Sequence, residues 1–386
     1  MLDKPVSITA LSSVSALGSD TRSILQAYQS PEHLLTLQDF GAEKVWVGNL
    51  PNRERAAIDQ LGNSNVKYSN LDDSVLYALY ASRKAVKQAG WAHGTSFGIN
   101  IGSSRGATSL FEAYHKEFIT TGKAATLTSP TTTLGNISSW ISHDLQNKGP
   151  VISHSITCST ALHAILNGIA WLLSGLSDRF LVGGSEAPLT PFTIAQMQAL
   201  KLYSQAGRDS KYPCRTMDGN KSGNTMVLGE GAAVACLETG KVKSALATIQ
   251  GIGYATEELH HNVSISANAR CFQDAMKMAI GDLPLTDVDV VIMHSPGTVK
   301  GDASEWNAIQ QVFGANLPYV TTNKWKIGHT FGASGMLSVE LAILLLKEQQ
   351  AMANPFTLGE PPKKFRNILI NAVGFGGNAV SILVSK

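Results

Sequence analysis

Short apolar runs alternate along this chain with longer segments of helical periodicity. Residues 6–10, 97–101 and 179–182 have the composition of strands, and residues 74–90 repeat their apolar positions at helical spacing. Strands that alternate with helices in this way are typical of layered proteins that contain both. The pattern therefore predicts an α/β fold.

A further helix is predicted to begin near Ser159 and to end at Ser174-Gly175. Its apolar positions cover most of its circumference and are Ala161, Leu162, Ile165, Leu166, Ile169, Ala170, Leu172 and Leu173. A helix that is apolar on most sides must be covered on most sides, so we expect this one to lie buried between two layers.

The chain contains a weak internal repeat, in which a turn opens an apolar helix and a later strand leads into glycines. In the first half the turn is at residues 157–159 and opens the helix just described, and the strand 179–182 leads into glycines 183–184. In the second half the turn is at 332–335, the helix at 336–346, the strand at 367–371 and the glycine segment at 374–377. The alternative is that these similarities arise without duplication, as they do in any α/β chain. We expect two similar halves, residues 1–240 and 241–386, that join near Gly240.

Composition restricts the classes of function. The 386 residues are 44% hydrophobic and 16% charged, as in a folded chain of about two or three domains. A net charge of +2 provides no field to hold nucleic-acid phosphates, so nucleic-acid binding is not expected. The four cysteines form no C-x-x-C pair, which argues against a disulfide framework or a zinc knuckle and favours reduced thiols in the cytoplasm.

No segment reaches the roughly 18 uninterrupted apolar residues that a membrane helix requires. His163 and Asn167 interrupt one apolar stretch, and Glu340 interrupts another. The acidic Asp3 is not typical of the positively charged n-region of a signal peptide, so the first segment is predicted to be a strand followed by a loop. We therefore expect a soluble protein with no membrane association.

Cys158 is the first candidate for chemistry. It lies between a predicted strand and the start of the buried helix, where free N–H groups and the helix dipole favour a thiolate. The alternative is a small buried hydrophobic residue without a chemical role.

Two histidines lie in glycine-containing turns of the second half. His294 directly follows an apolar strand, where α/β proteins place active sites, and His329 lies between Gly328 and Gly332. Each could instead have a hydrogen-bonded structural role, and the pair His260-His261 is predicted to be a polar surface turn. Together with the cysteine, they form a Cys/His/His pattern.

The surrounding motifs resemble those of the decarboxylating β-ketoacyl-ACP synthases of elongating classes I and II, in the thiolase-like superfamily. Residues 157–161, Thr-Cys-Ser-Thr-Ala, are similar to the nucleophile turn, with threonine where alanine is usual. The remaining matches cover nearly the whole chain and are His294 with Thr298, Asp302 and Glu305, Lys324 with the segment 328–335, and the glycine motifs 227–232 and 374–377.

This resemblance implies a thiolase-like five-layered αβαβα fold with two similar halves. Cys158 would carry the acyl chain, and His294 and His329 would donate hydrogen bonds to the thioester oxygen of the malonyl group. The backbone N–H groups of Cys158 and Phe375 would form the oxyanion hole. Lys324 is also assigned to the catalytic set.

The resemblance also assigns supporting and substrate-binding residues. Glu305 and Asp302 would support the histidines, Thr298 would bind the pantetheine arm, and Phe375 would gate the acyl pocket. The expected partners are acyl carrier protein and a second chain, identical or related, in a dimer. No metal or organic cofactor is implied. Candidates for a basic rim facing the acidic carrier protein are Lys201, Arg208 and Lys211.

Two departures from the family pattern favour a specialised synthase of polyenes or polyketides. Ser295-Pro296 replaces the usual glycine and threonine, which removes one hydroxyl contact to pantetheine, and Asn378-Ala379 replaces threonine and asparagine. Housekeeping fatty-acid synthesis is correspondingly less favoured.

Other functions compete with condensation. Gly102-Ser103-Ser104-Arg105-Gly106 fits the nucleophile elbow of α/β-hydrolases, with Ser104 as nucleophile. A chain-length-factor-like subunit would share the fold and pair with an active synthase without condensing anything, but such subunits typically lack the cysteine. Thiolases and class III starter synthases use other partners for the cysteine, so the Cys/His/His set favours elongation.

Overall fold

The computed structural model describes residues 2–41, 44–92, 94–134, 136–258 and 265–386. The strands are β1 (Val6–Ser15), β2 (Thr36–Asp39), β3 (Lys44–Gly48), β4 (Gly98–Gly102), β5 (Val151–Ile152), β6 (Arg179–Glu186), β7 (Leu228–Gly229), β8 (Gly231–Thr239), β9 (Ala247–Thr256), β10 (Val290–Ile292), β11 (Tyr319–Thr321), β12 (Asn367–Val373) and β13 (Asn378–Ser385).

The helices alternate with these strands and follow the same chain order. They are α1 (Thr21–Gln29), α2 (Asn52–Asn63), α3 (Asp73–Gln88), α4 (Thr108–Thr121), α5 (Thr128–Thr132), α6 (Asn136–Asp144), α7 (Thr160–Leu173), α8 (Pro191–Ala199), α9 (Arg270–Ile280), α10 (Val299–Phe313), α11 (Lys324–Ile327) and α12 (Ser334–Glu348), with short 3₁₀ turns at Leu285–Asp287 and Phe331–Ala333.

Two five-stranded sheets have the same internal plan. The first has the order β1-β8-β6-β4-β5, and the second, read from β9, has the order β9-β13-β12-β10-β11. In each sheet the first two pairings are antiparallel and the last two are parallel. The two sheets therefore share one strand topology.

The two sheets enclose the most apolar helices. One core cluster joins α7 and α12 to strands of both sheets. A second cluster packs α3 and α6 on the outer face of the first sheet, and a third packs α9 and α10 on the outer face of the second. The order helix, sheet, helix, sheet, helix confirms the predicted five-layered αβαβα architecture.

The predicted buried helix is confirmed as α7, which ends at Leu173 before Gly175 with a φ of +74°. One strand differs from its prediction. The run 179–182 was expected to end at Gly183-Gly184, but β6 continues to Glu186. A Cβ on Gly184 would lie only 2.3 Å from the carbonyl oxygen of Gly332. Glycine at this position of the strand therefore allows the backbone of Gly332 to pack closely against it.

The predicted turn at His260-His261 lies outside the described residues. Among the helices that the structure describes, none combines the length and the apolar character needed to cross a bilayer.

Candidate active site

The structure brings Cys158, His294 and His329 together. The cysteine Sγ and one ring nitrogen of each histidine lie within 4.8 Å of one another. Cys158 lies two residues before α7, His294 lies two residues after β10, and His329 lies between α11 and α12. All three side chains are buried. The carboxyl ends of elements from both sheets therefore meet at one point, as expected for an α/β active site.

The two imidazole rings meet edge to face. Their centroids are 5.2 Å apart at an interplanar angle of 87°, and Phe331 packs 5.3 Å from His329. The Nδ1 atom of each histidine is buried without a hydrogen-bond partner among the described residues. The Nε2 atoms are therefore the nitrogens available to groups in the adjoining cavity.

Strained backbone occurs within two residues of each of these three side chains. Thr157, Ser295 and Phe331 have φ values of +46°, +28° and +41°, a region that residues with a Cβ rarely adopt. Each such residue costs about 1–3 kcal/mol and persists only where the surroundings hold it. Three of the eight non-glycine residues with positive φ among the described residues therefore lie around the Cys/His/His cluster.

The small sheet β2-β3-β7 positions His329. Its backbone N–H donates to the Val227 carbonyl at 2.7 Å, and its carbonyl accepts from Gly229 N–H at 3.0 Å. A Cβ on Gly229 or Gly48 would lie 2.3 or 1.9 Å from the Ile327 carbonyl oxygen. The glycine motif at 227–232 therefore lets a strand pair closely with the turn that carries the histidine.

Glu305 fixes the turn that carries His294. Its carboxylate accepts the backbone N–H groups of His294 and Ser295, each at 2.8 Å, and the Asn371 amide at 3.2 Å. Burial raises the pKa of Glu305, while these donors and Lys324 lower it. Ser295 also accepts the Met217 N–H through its hydroxyl, so the unusual serine has a structural contact.

Asp302 has a partner that sequence spacing did not indicate. It forms a buried ion pair with Lys221 at 2.7 Å and also accepts the backbone N–H groups of Gly297 and Met217. Gly297 precedes Thr298, which begins α10 as its N-terminal cap. Asp302 thus holds the loop before Thr298, whereas Glu305 holds the turn of His294.

Lys324 is buried beneath the site. Burial lowers the pKa of its ammonium group, and attraction to Glu305 and Cys158 opposes that shift. Burial also lowers the pKa of both His294 and His329 well below the ordinary range, and the positive charge of Lys324 adds to this effect. Both imidazoles are therefore neutral near pH 7, each with one N–H to donate.

The Cys158 thiol differs from its sequence-based expectation. Burial raises its pKa to about 12, and the nearby Glu186 acts in the same direction. The pKa of the thiol is lowered by three other groups, which are Lys324, the backbone N–H of Cys158 and Arg105, but it remains above its ordinary value. The helix terminus alone does not produce a thiolate here, because loss of solvation outweighs it. The resting form is the thiol.

Glu186 is a central residue that sequence reasoning missed. It is fully buried at the end of β6 and accepts hydrogen bonds from Ser103 Oγ and from the backbone N–H groups of Ser104, Arg105 and Gly332. The proposed hydrolase elbow is thus tied by a carboxylate to the turn after His329. The sequence does contain a signal for it, because Glu186 is an acidic residue at the end of an otherwise apolar strand.

His154 was also missed. Its Nε2 lies 3.1 Å from the Thr160 carbonyl oxygen, and its Nδ1 lies 2.9 Å from the Asn100 amide nitrogen. Because a carbonyl only accepts, Nε2 carries the hydrogen and Nδ1 accepts from Asn100. Burial lowers the pKa of His154 to about 4. The neutral ring therefore joins β4 to the first turn of α7, beside Cys158.

A cavity of about 420 Å³ opens onto these residues. Cys158, His294, His329, Thr298 and Phe375 all line it. Its other walls are mainly apolar or small and include Leu202, Met226, Ile265, Phe272, Val373, Ser222, Gly223 and Asn224. The predicted substrate-binding residues therefore share one chamber with the Cys/His/His cluster, whereas Ser104 does not line it.

Comparison with known proteins gives one consistent answer. The family models described as "Beta-ketoacyl synthase, N-terminal domain" and "Beta-ketoacyl synthase, C-terminal domain" match residues 4–242 and 246–355. Nodulation protein E of Rhizobium meliloti is 26% identical over 362 residues, covering 90% of this chain and 87% of that protein.

Two further proteins extend this comparison. The "3-oxoacyl-[acyl-carrier-protein] synthase 2" of Coxiella burnetii is 27% identical over 342 residues, covering 82% of each chain. The solved structure described as "The ishigamide ketosynthase/chain length factor" has a TM-score of 0.85 at 17% identity and covers 100% of both chains. At that identity the structural likeness establishes the fold.

Proposed function

Because this chain belongs to the β-ketoacyl synthase family, we propose that it condenses an acyl group with a malonyl group, both carried on acyl carrier protein, and releases carbon dioxide. The protein is a β-ketoacyl-acyl-carrier-protein synthase that acts in fatty-acid or polyketide synthesis. The observation that carries the residue roles is the convergence of Cys158, His294 and His329 within 4.8 Å.

The first half-reaction loads the enzyme. The Cys158 sulfur attacks the acyl thioester and its proton passes to a neighbouring base; the bond between the acyl carbon and the carrier sulfur then breaks, and the proton returns to the carrier sulfur, which leaves as a thiol. Because burial raises the pKa of the Cys158 thiol to about 12, the proton must leave as the sulfur attacks. A neutral imidazole would accept this proton in the tautomer whose nitrogen near the sulfur carries no hydrogen, whereas in the second half-reaction the same nitrogen must carry one.

The second half-reaction needs donors for a developing negative charge. When the malonyl thioester loses carbon dioxide, charge collects on the thioester oxygen, where the N–H groups of His294 and His329 would bind it. The resulting carbanion attacks the acyl carbon on Cys158, a carbon–carbon bond forms, and the carbon–sulfur bond breaks so that Cys158 leaves and regains a proton. Backbone N–H groups of Cys158 and Phe375 would hold the tetrahedral oxyanion, and one such donor is worth about 3 kcal/mol of barrier.

The cavity mouth has features that suit a pantetheine arm and its carrier. Thr298 lines the cavity, and Ser222, Gly223 and Asn224 form a polar wall shared with a neighbouring groove that also contains Lys201. The proposed rim residues Lys201, Arg208 and Lys211 are all exposed. We place the acidic carrier protein on this side.

Association with a second chain is supported by one exposed edge. β5 ends the first sheet, and its Val151 is exposed. Separately, α4 leaves Phe111, Phe118 and Ile119 exposed. Pairing with an identical or related chain would cover these groups. Cytoplasmic action without a metal or organic cofactor is part of the same proposal and is consistent with four free cysteines.

A non-condensing chain-length-factor role is the alternative. The retained Cys158, the paired histidines and an open cavity beside them support condensation instead. A subunit that only shapes a partner's pocket has no need of a nucleophile beside two imidazoles.

Mass spectrometry of the intact protein tests the proposal. After incubation with acyl carrier proteins of graded chain length, we expect an acyl adduct on the wild type and none on Cys158→Ala, with Cys236→Ala as the matched control. Replacing His294 or His329 by alanine should slow release of carbon dioxide from malonyl thioester by about 10²- to 10³-fold. An adduct on Cys158→Ala at the wild-type rate would refute the nucleophile assignment.

A further inference from the structure

The three central side chains are also a set of metal ligands. A thiolate and two imidazoles are donors that Zn²⁺ prefers, and three protein ligands with one open position form a common zinc arrangement. Here Cys158, His294 and His329 point their donor atoms at one region, and all three line the cavity. An ion therefore has both ligands and a route to them.

The distances suit coordination after a small adjustment. The three ligand atoms lie within 4.8 Å of one another, and at that widest spacing an ion equidistant from them would lie about 2.8 Å from each, against roughly 2.0–2.3 Å for zinc–nitrogen and zinc–sulfur bonds. At that spacing each donor would move inward by about 0.5–0.8 Å, and by less where the atoms are closer.

We propose that the unacylated protein binds one Zn²⁺ ion through Cys158, His294 and His329, and that bound metal and an acyl group on Cys158 exclude each other. On binding, the thiol S–H bond is replaced by a sulfur–zinc bond and the proton passes to solvent. No electrons are transferred. The metal inhibits the enzyme because the sulfur can no longer attack a thioester.

Two features make this an inhibitory site rather than one for a resident cofactor. Metal-binding histidines usually donate their second ring N–H to a carboxylate or carbonyl, which raises affinity about 10- to 100-fold. The Nδ1 atoms of His294 and His329 have no partner among the described residues. Lys324 also places a positive charge close to the ligands. Binding should therefore be reversible by a chelator.

Co²⁺ is the probe for binding to the full-length protein. We expect one Co²⁺ per chain and a sulfur-to-cobalt charge-transfer absorption that Zn²⁺ displaces. The absorption should vanish in Cys158→Ser, and His294→Gln or His329→Gln should weaken binding by about tenfold or more. Cys236→Ala, which alters a buried cysteine on β8, should bind as the wild type does.

A second measurement blocks Cys158 chemically in the folded wild-type protein, so the test does not depend on a variant that could fail to fold. Alkylation of wild-type Cys158 with iodoacetamide, confirmed by mass spectrometry, should abolish the absorption in folded protein. Persistence of the absorption after alkylation, or absence of Co²⁺ binding by unmodified protein at millimolar metal, would overturn the proposal.

Inhibition is tested separately, and only this part rests on the proposed function. Zn²⁺ should slow acyl loading by about tenfold or more, a chelator should restore it, and the acyl-enzyme should bind Co²⁺ at least about tenfold more weakly. Metal binding that leaves loading unchanged would overturn the exclusion. A protein that binds Co²⁺ through Cys158 but never acquires an acyl group would contradict the proposed function while supporting the metal site.

Discussion

Gly374 lies directly against Thr157. A Cβ built on Gly374 would lie 1.9 Å from Thr157 Oγ1 and 2.7 Å from the Ile156 carbonyl oxygen. The loop that carries Phe375 therefore rests on the turn that carries Cys158, and only glycine allows this approach. The contact links strand β12 of the second half to the candidate nucleophile of the first.

Gly374→Ala should separate these two turns. Because misplacement of reacting groups by about 1 Å can cost 10²-fold in rate, we expect acyl loading of Cys158 to slow by at least about tenfold. Intact-protein mass spectrometry over time measures this rate. Gly207→Ala is the control, since an added Cβ there meets no atom within 4 Å. Equal loading by both variants would show that the contact does not position the site.

Lys221→Met should destabilise the protein by about 3–5 kcal/mol, because it leaves the buried Asp302 carboxylate without its ion-pair partner. Lys221→Met with Asp302→Asn should cost less, since no charge then remains buried. Urea unfolding gives both values. KM for carrier-bound substrate should also rise, because Asp302 holds the loop before Thr298. Arg270→Met, which removes an exposed ion pair, is the control and should change little.

His154→Leu should slow acyl loading without changing the apparent affinity for the carrier protein. The substitution removes the hydrogen bonds to Thr160 and Asn100 that hold the segment bearing Cys158. Leaving those buried groups without a partner should lower the free energy of unfolding by about 1–3 kcal/mol. Single-turnover loading at several carrier concentrations separates rate from affinity. His143→Leu, at an exposed position, is the matched control. A change confined to affinity would contradict this positioning role.

Glu340 should make the protein less stable as pH rises from about 4.5 to 7. Burial raises its pKa from 4.5 to about 7, and Ser13 is its hydrogen-bond donor. The folded state therefore holds a proton that the unfolded state has lost, so the free energy of unfolding falls across this range. Glu340→Gln should be more stable than the wild type by about 3 kcal/mol at pH 8 and similar to it near pH 4.5.

Urea unfolding of wild type and Glu340→Gln at several pH values checks this prediction. The difference between the two proteins at each pH isolates Glu340 from other titrating groups. Glu360→Gln, an exposed substitution, should show no such pH-dependent difference. A constant difference across the range would mean that Glu340 does not change its protonation there.

Several features of this protein could be read from sequence because they depend on nearby residues. Apolar periodicity and strand composition are local, so they predicted α7, α12 and an α/β fold, whereas the five-layered arrangement followed from the family resemblance. The order of motifs around Cys158, His294 and His329 is likewise a property of spacing. The boundary of β6 could not be read in this way, since Gly183 and Gly184 continue the strand only because of what packs against them.

The tertiary structure alone decided the electrostatics and the supporting contacts. The Lys221–Asp302 pair joins residues 81 positions apart, and the bond from Gly332 to Glu186 spans 146. No local pattern specifies such partners. The same holds for the Cys158 thiol, whose position before a helix suggested a thiolate. Removal of water by the surrounding chain raises its pKa, because solvation of a charge depends on every atom packed around it and not on its neighbours in sequence.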